Sequence, residues 1–348
     1  MSPAPAESIR WSVDLEDSAE AAPAFAAGVV FVSTHHGNLA ALDAQSGAVR
    51  WRRDLGGFGD ALAVADGQLY VASSDAQTPQ CRLRALDAAN GTPRWSWSSQ
   101  PCSRLLVGVA DGLAYLTTAG VIDATGSTHE PARVMALDAD TGRQRWSVHI
   151  DSPNAQVSAP VVAARTVYVT TSAELVALAV ADGSVRWRVS LDGGSVSPPV
   201  IHGSLVHVVR AWGYGESAMY AFDAQSGQQR WVSEVREVEA FHAPVVAADA
   251  VVVVSQDAQV RGLDHRTGRQ RWVRAFGTND PALPPAPAFS SGTTVYVRLA
   301  GKLLALDAMT GRTRWTNPNP TPGDPLGAND DVVYLADTSG VISAIGAP

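Results

Sequence analysis

Short apolar runs rich in Val, Thr and aromatic residues alternate along the chain with small or polar breaks. One stretch, "PVVAARTVYVTTSAELVALAVADGSVRWRVSL", holds four such runs, and the pattern predicts four short antiparallel strands joined by tight turns. Each group of this kind closes on one phrase. It reads "LDAQSGAVRW" to Trp51, "LDAANGTPRW" to Trp95, "LDADTGRQRW" to Trp146 and "LAVADGSVRW" to Trp187. "FDAQSGQQRW" to Trp231, "LDHRTGRQRW" to Trp272 and "LDAMTGRTRW" to Trp315 follow, and a lone Arg-Trp stands at Arg10 and Trp11. Successive tryptophans lie 40, 44, 51, 41, 44, 41 and 43 residues apart, and counting on from Trp315 through Pro348 to Trp11 gives 44.

A period of that length belongs to solenoids or propellers, and strand content selects the propeller. The expected fold is all-β: an eight-bladed propeller of four-stranded antiparallel blades in a single domain, 1–348. Blade eight is expected to be shared between about 8–15 and about 325–348, which closes otherwise exposed sheet edges. Within each repeat, Asp-x-x-x-Gly makes a hairpin turn in which the glycine suits positive φ and the carboxylate accepts backbone N–H groups. Trp11, Trp51, Trp95, Trp146, Trp187, Trp231, Trp272 and Trp315 are expected to wedge between neighbouring blades, and the arginine before each to pair or stack. The fourth copy has Ala179 and Asp182 in place of the usual aspartate, and the eighth has Gly346 there.

With 46% hydrophobic and 17% charged residues and a net charge of -8, the chain is globular rather than disordered, and nucleic acid is not an expected partner. Lys302 is the one lysine, which argues against Schiff-base chemistry. No apolar run reaches the roughly 18 residues of a membrane span, and "MSPAPAESIR" lacks signal-peptide character. A soluble, cytoplasmic chain is expected as it stands; the alternative is an exported domain whose leader has been removed. Cys81 and Cys102 fit no zinc spacing and are either free thiols or one bridge, which needs α-carbons within roughly 7 Å.

The A-L-D-x-x-[ST]-G-x-x-x-W spacing resembles the tryptophan-docking repeat of quinoprotein alcohol dehydrogenases and of pyrroloquinoline-quinone-binding-like propellers. These include a lipoprotein scaffold of outer-membrane barrel assembly and sensor domains of bacterial kinases. The resemblance covers nearly the whole chain and implies the fold; function is not implied by fold alone. Dehydrogenases of this kind carry an adjacent cysteine pair that stacks on the quinone, whereas Cys81 and Cys102 lie 21 residues apart. No cofactor is therefore expected, and the non-dehydrogenase members are the better match.

Ligands of propellers usually meet loops at the mouth of the central channel, those leading into inner strands and those joining second and third strands. Departures from the repeat fall in "SDAQTPQC", "AGVIDATGSTHEP", "RAWGYGES", "SEVREVEAFH" and "FGTNDPALPP". Trp212 and Tyr214 have the composition of a ligand contact, and Arg210 and Arg298, each closing a second strand, suit a carboxylate or phosphate. His36 and Asp280 complete the candidate binding set, while Glu216 and His242 are the candidate catalytic pair. His35, His129, Glu130, Glu237 and Glu239 lie in similar loops without a metal-binding spacing, so no metal is expected. His149, His202, His207 and His265, like Trp97, read as structural. The function expected is recognition of a small molecule or protein at the channel mouth; the alternative is a quinone-independent enzyme acting there.

Overall fold

A computed structural model of the protein describes residues 8–19, 22–56, 58–75, 78, 80–122, 128–152, 156–191, 195–213, 216–236, 243–255, 258–277, 288–299, 302–317, 324–329, 332–336 and 339–346. The fold is the expected all-β, eight-bladed propeller of four-stranded antiparallel sheets. Blades one to seven occupy 24–54, 58–99, 105–150, 161–190, 195–236, 245–275 and 289–317, each with its strands paired in chain order. In blade eight the N-terminal strand Ser8–Asp14 pairs with Val341–Gly346, followed by Val332–Ala336 and Asp324–Asn329. Blade three adds the hairpin Val121–Ile122 with Thr128–Glu130, and blade five has a fifth strand, Ser195–Val196, beside Leu205–Gly213. The chain forms two compact units, one of 13–188 with 338–341 and one of 1–12, 189–337 and 342–348.

Second strands such as Val29–Ser33 and Thr166–Thr170 are buried at every position, which suits their β-branched residues. Outer strands such as Val49–Asp54 bury only the tryptophan. Its seat lies on the next blade. The Nε1–H groups of Trp51, Trp95 and Trp146 donate to the carbonyls of Ala88, Ala139 and Val180 at 3.1, 2.8 and 2.8 Å. In the other unit, Trp231 and Trp272 donate to His265 and Ala308 at 3.0 and 2.9 Å. Each accepting carbonyl lies three residues before the turn glycine of that next blade, and the indole lies flat against this glycine. Gly91, Gly142, Gly183, Gly268 and Gly311 have φ of +65 to +73°, and a Cβ on any of them would stand 2.5–2.8 Å from the indole. The glycine thus answers two demands at once, left-handed backbone and room for the neighbour's ring. The sequence reading supplied only the first.

The aspartate and arginine of the phrase hold the turn that presents this seat. Asp223 Oδ1 accepts from the N–H and hydroxyl of Ser226, both at 2.9 Å, and Oδ2 accepts from Arg230 at 2.8 Å. The Arg230 guanidinium, followed by Ser226, holds the Asp223 carboxyl down to about 2. The same arrangement recurs from Asp43 to Arg50, Asp87 to Arg94, Asp138 to Arg145, Asp264 to Arg271 and Asp307 to Arg314. In the fourth copy Asp182 accepts from Ser184 instead. At the eighth, the Arg10 guanidinium fills the space a Cβ on Gly346 would need, so the arginine lies over the position that lacks its carboxylate.

A second repeated aromatic, on the second strand, supports each indole from within its own blade. Phe31, Tyr70, Tyr115, Tyr168, Tyr296 and Tyr334 lie 5.8–6.1 Å, centroid to centroid, from Trp51, Trp95, Trp146, Trp187, Trp315 and Trp11 respectively. Blade six has Val252 at this position, paired with Gly262 where the other blades have alanine, and the Trp272 ring moves into the space a Cβ on Gly262 would take. Blade five has His207, 5.6 Å from Trp231 and fully buried. Neither of its ring nitrogens has a hydrogen-bond partner among the described residues, and burial, then the neighbouring His265 and His202, pushes its pKa down to about 3.

Two stability predictions follow from these seats. Gly142→Ala, which meets the Trp95 ring at 2.6 Å, should cost about 2–4 kcal/mol from overpacking added to left-handed strain. Gly112→Ala has a comparable φ of +71° but open space around it, and should cost only about 1–2 kcal/mol. Urea unfolding of both variants measures the difference; equal losses would contradict the indole seat. His207→Phe, restoring the aromatic that six other blades carry and removing two nitrogens without partners among the described residues, should stabilise by about 1–2 kcal/mol in the same assay.

Candidate functional site

In blade two, Gln68–Asp75 and Gln80–Asp87 pair with Ser73 opposite Arg82 and Ser74 opposite Cys81. Strand alternation puts Arg82 and Arg84 on one face, and a polar recess forms there between Ser73, Ser74, Asp75, Gln80, Arg82 and Arg84. Arg84 is half-buried and fixed: its Nη2 donates to the Leu55 carbonyl at 2.7 Å and its Nη1 to Ser73 Oγ at 3.3 Å. Arg82 is exposed and has no ion pair among the described residues. Burial, and then the charge of Arg82, lowers the pKa of Arg84. Two like charges side by side, one partly desolvated, favour an incoming anion. Asp75, whose Oδ2 accepts from Thr78 Oγ1 at 2.8 Å, is the one carboxylate among the described residues lining the recess and would repel that anion from its own side.

The recess stands on a rigid base. Cys81 and Cys102 are bridged, with α-carbons 5.5 Å apart, so the third strand of blade two is tied to the segment leading into blade three. Asp60 spans the same gap, its Oδ1 accepting from Ser74 Oγ at 3.0 Å and its Oδ2 from the Leu105 N–H at 3.4 Å. This decides between the two states the sequence left open for the cysteines. Arg82 and Arg84 were absent from the sequence-derived set, although a signal was present. Arg84 occupies a register position where blades one, three, four and seven carry Ala40, Met135, Val176 and Leu304.

The sequence-derived candidates are dispersed. His36 lies in the same unit as the recess, with Nδ1 2.8 Å from Asp17 Oδ1 and its backbone N–H donating to Asp17 Oδ2 at 2.9 Å. Asp17 is largely buried, which opposes its ionisation, yet the bonds from Thr34 and His36 hold its pKa at about 2. The carboxylate therefore fixes the orientation of a highly exposed imidazole. Arg210 and Arg298 lie in the other unit; Arg210 is buried inside the strand Leu205–Gly213 rather than closing it. Of "RAWGYGES", residues 210–213 and 216–217 lie in the paired strands Leu205–Gly213 and Glu216–Asp223, with Gly213 opposite Glu216, so Trp212 and Glu216 are strand residues. Tyr214, His242 and Asp280 lie outside the described residues.

Comparison with known proteins adds the lineage. The family described as outer membrane protein assembly factor BamB matches residues 4–157, 130–274, 212–324 and 277–347. The outer membrane protein assembly factor BamB of Moranella endobia is 25% identical over 270 residues, covering 71% of this chain and 64% of that protein. The quinohemoprotein alcohol dehydrogenase ADH IIB of Pseudomonas putida is 29% identical over 155 residues, 40% of this chain and 21% of that one. The chain thus spans less than two thirds of the length of the curated relatives it matches. Among solved structures, BamB from Moraxella catarrhalis superposes with a TM-score of 0.73 at 18% identity, covering 98% of this chain and 99% of that one. Matched in all its blades, the chain belongs to the family of the outer membrane protein assembly factor BamB.

Proposed function

We propose that this propeller is a non-catalytic binding protein, and that the recess of blade two receives a carboxylate of a protein partner. The observation that carries this reading is the pairing of half-buried Arg84 with exposed Arg82, a fork-bearing cation fixed in place beside one free to close on a ligand. Its position agrees with where propeller ligands meet their hosts, since Ser73 to Arg82 lead into and out of the turn joining second and third strands. A protein partner is supported by the family, whose members are described as outer membrane protein assembly factors. Work without a quinone fits the sequence, because both cysteines are spent on a bridge 21 residues apart and no adjacent pair is left to stack on that cofactor. The same bridge favours an oxidising compartment and hence export.

A photo-reactive amino acid placed at Gln80 should crosslink one protein in cells of the source organism. Arg82→Glu should abolish that crosslink and weaken binding of the captured partner at least tenfold, while unfolding free energy stays within about 0.5 kcal/mol, as for an exposed position. Crosslinks unaffected by the charge reversal would remove the recess from contention.

A further inference from the structure

We infer that His202, Asp249 and His265 form a divalent transition-metal site of the zinc class, joining blades five and six. Their ligand atoms all lie within 4.8 Å of one another. His265 Nε2 and Asp249 Oδ1 are 3.4 Å apart, close to the roughly 3.3 Å edge that a tetrahedral zinc ion imposes on its nitrogen and oxygen ligands. The His202 and His265 rings meet edge to face at 4.7 Å. Two imidazoles and one carboxylate form a borderline donor set, suited to zinc and its neighbours rather than to calcium or magnesium. Three protein ligands leave a fourth position open towards solvent, on the side of exposed Asp249.

The repeat itself supports the assignment. His202 ends the inner strand where blades one to four and blade six have Ala26, Ala65, Ala110, Ala163 and Ala247. His265 follows the turn aspartate where Ala44, Ala88, Ala139, Ala224 and Ala308 stand in other blades. Its N–H donates to the Asp249 carbonyl at 3.2 Å, the bond that in the first three blades runs from alanine to Gly28, Gly67 and Gly112. Three positions held by alanine or glycine in each of blades one to three therefore carry two imidazoles and a carboxylate, all at one interface. The backbone under them is firm, because the His265 carbonyl also seats the Trp231 indole.

The buried His265 ring gains from an ion. Its Nδ1 has no partner among the described residues, and Nε2 faces a carboxylate oxygen, acceptor against acceptor unless a cation or proton intervenes. At present the Nε–H of Arg266 approaches Nε2 at 3.3 Å. Arg266 is exposed and long enough to swing aside. An ion there would hold the first-to-second and third-to-fourth strand turns of adjacent blades together, stabilising the folded chain by linkage.

The test uses the untagged, full chain, stripped with a chelator and titrated with zinc chloride by calorimetry. One zinc per chain is expected, with a rise in melting temperature, and cobalt in its place should give the visible absorption of a tetrahedral site. His202→Ala with Asp249→Gly, residues that other blades carry at these positions, should weaken zinc binding at least tenfold and abolish the thermal shift. His265→Ala should do the same, whereas His35→Ala with His36→Ala should leave the zinc affinity unchanged. No binding at millimolar zinc, a loss below tenfold in the double variant, or a loss caused by the His35 and His36 substitutions would overturn the site.

Discussion

Every blade junction described above turns on one contact, an indole laid flat on a glycine of the next blade with its N–H on a carbonyl three residues earlier. A four-stranded sheet cannot bury both its faces alone, so the repeat needs a contact that joins neighbours without joining their backbones. The indole serves because it is large, flat and carries a single donor; burying it contributes on the order of a few kcal/mol. The rest of the motif exists to present its seat. Aspartate ties down the turn, arginine ties down the aspartate, and glycine removes the methylene that would otherwise collide with the ring.

Because the contact is repeated, each departure from it can be compared with intact copies. Blade six loses its second-strand aromatic and its alanine together, Val252 and Gly262, and the Trp272 ring shifts into the vacated volume. Blade eight loses its aspartate, and Arg10 lies over Gly346 instead. These are compensations within the packing. Arg84, His202, Asp249 and His265 are different in kind. Each stands where blades one and three have a small or apolar residue and can bind something there, within a strand or at a turn where the indole seat is not disturbed.

The fold was legible because its signal was redundant: seven near-copies fixed the period, and one constant interval between glycine and tryptophan fixed the register. The candidate sites were far less so. Attention to long excursions favoured "RAWGYGES", yet its described residues, 210–213 and 216–217, belong to two paired strands, with a register shift between Ala211 and Gly213. Histidines 202, 207 and 265 looked structural one by one, being scattered over 64 positions, and only the stacking of blade on blade brings them together. Arg84 was hidden in a strand, where a charge reads as a solvated face until the half-burial of its guanidinium is known.

Redundancy in the core also dictates where variation is tolerated. Antiparallel strands place the second-to-third turn at one end of a blade and the other two turns at the opposite end, and the indole seat uses only the third-to-fourth turn. The second-to-third end is therefore free of docking duties, which is why a charged recess can form at blade two, supported by a disulfide and by Asp60. At the docking end, new chemistry must leave the glycine and the accepting carbonyl alone. His265 satisfies that condition, for it offers its side chain to its neighbours while its own carbonyl still receives the Trp231 indole.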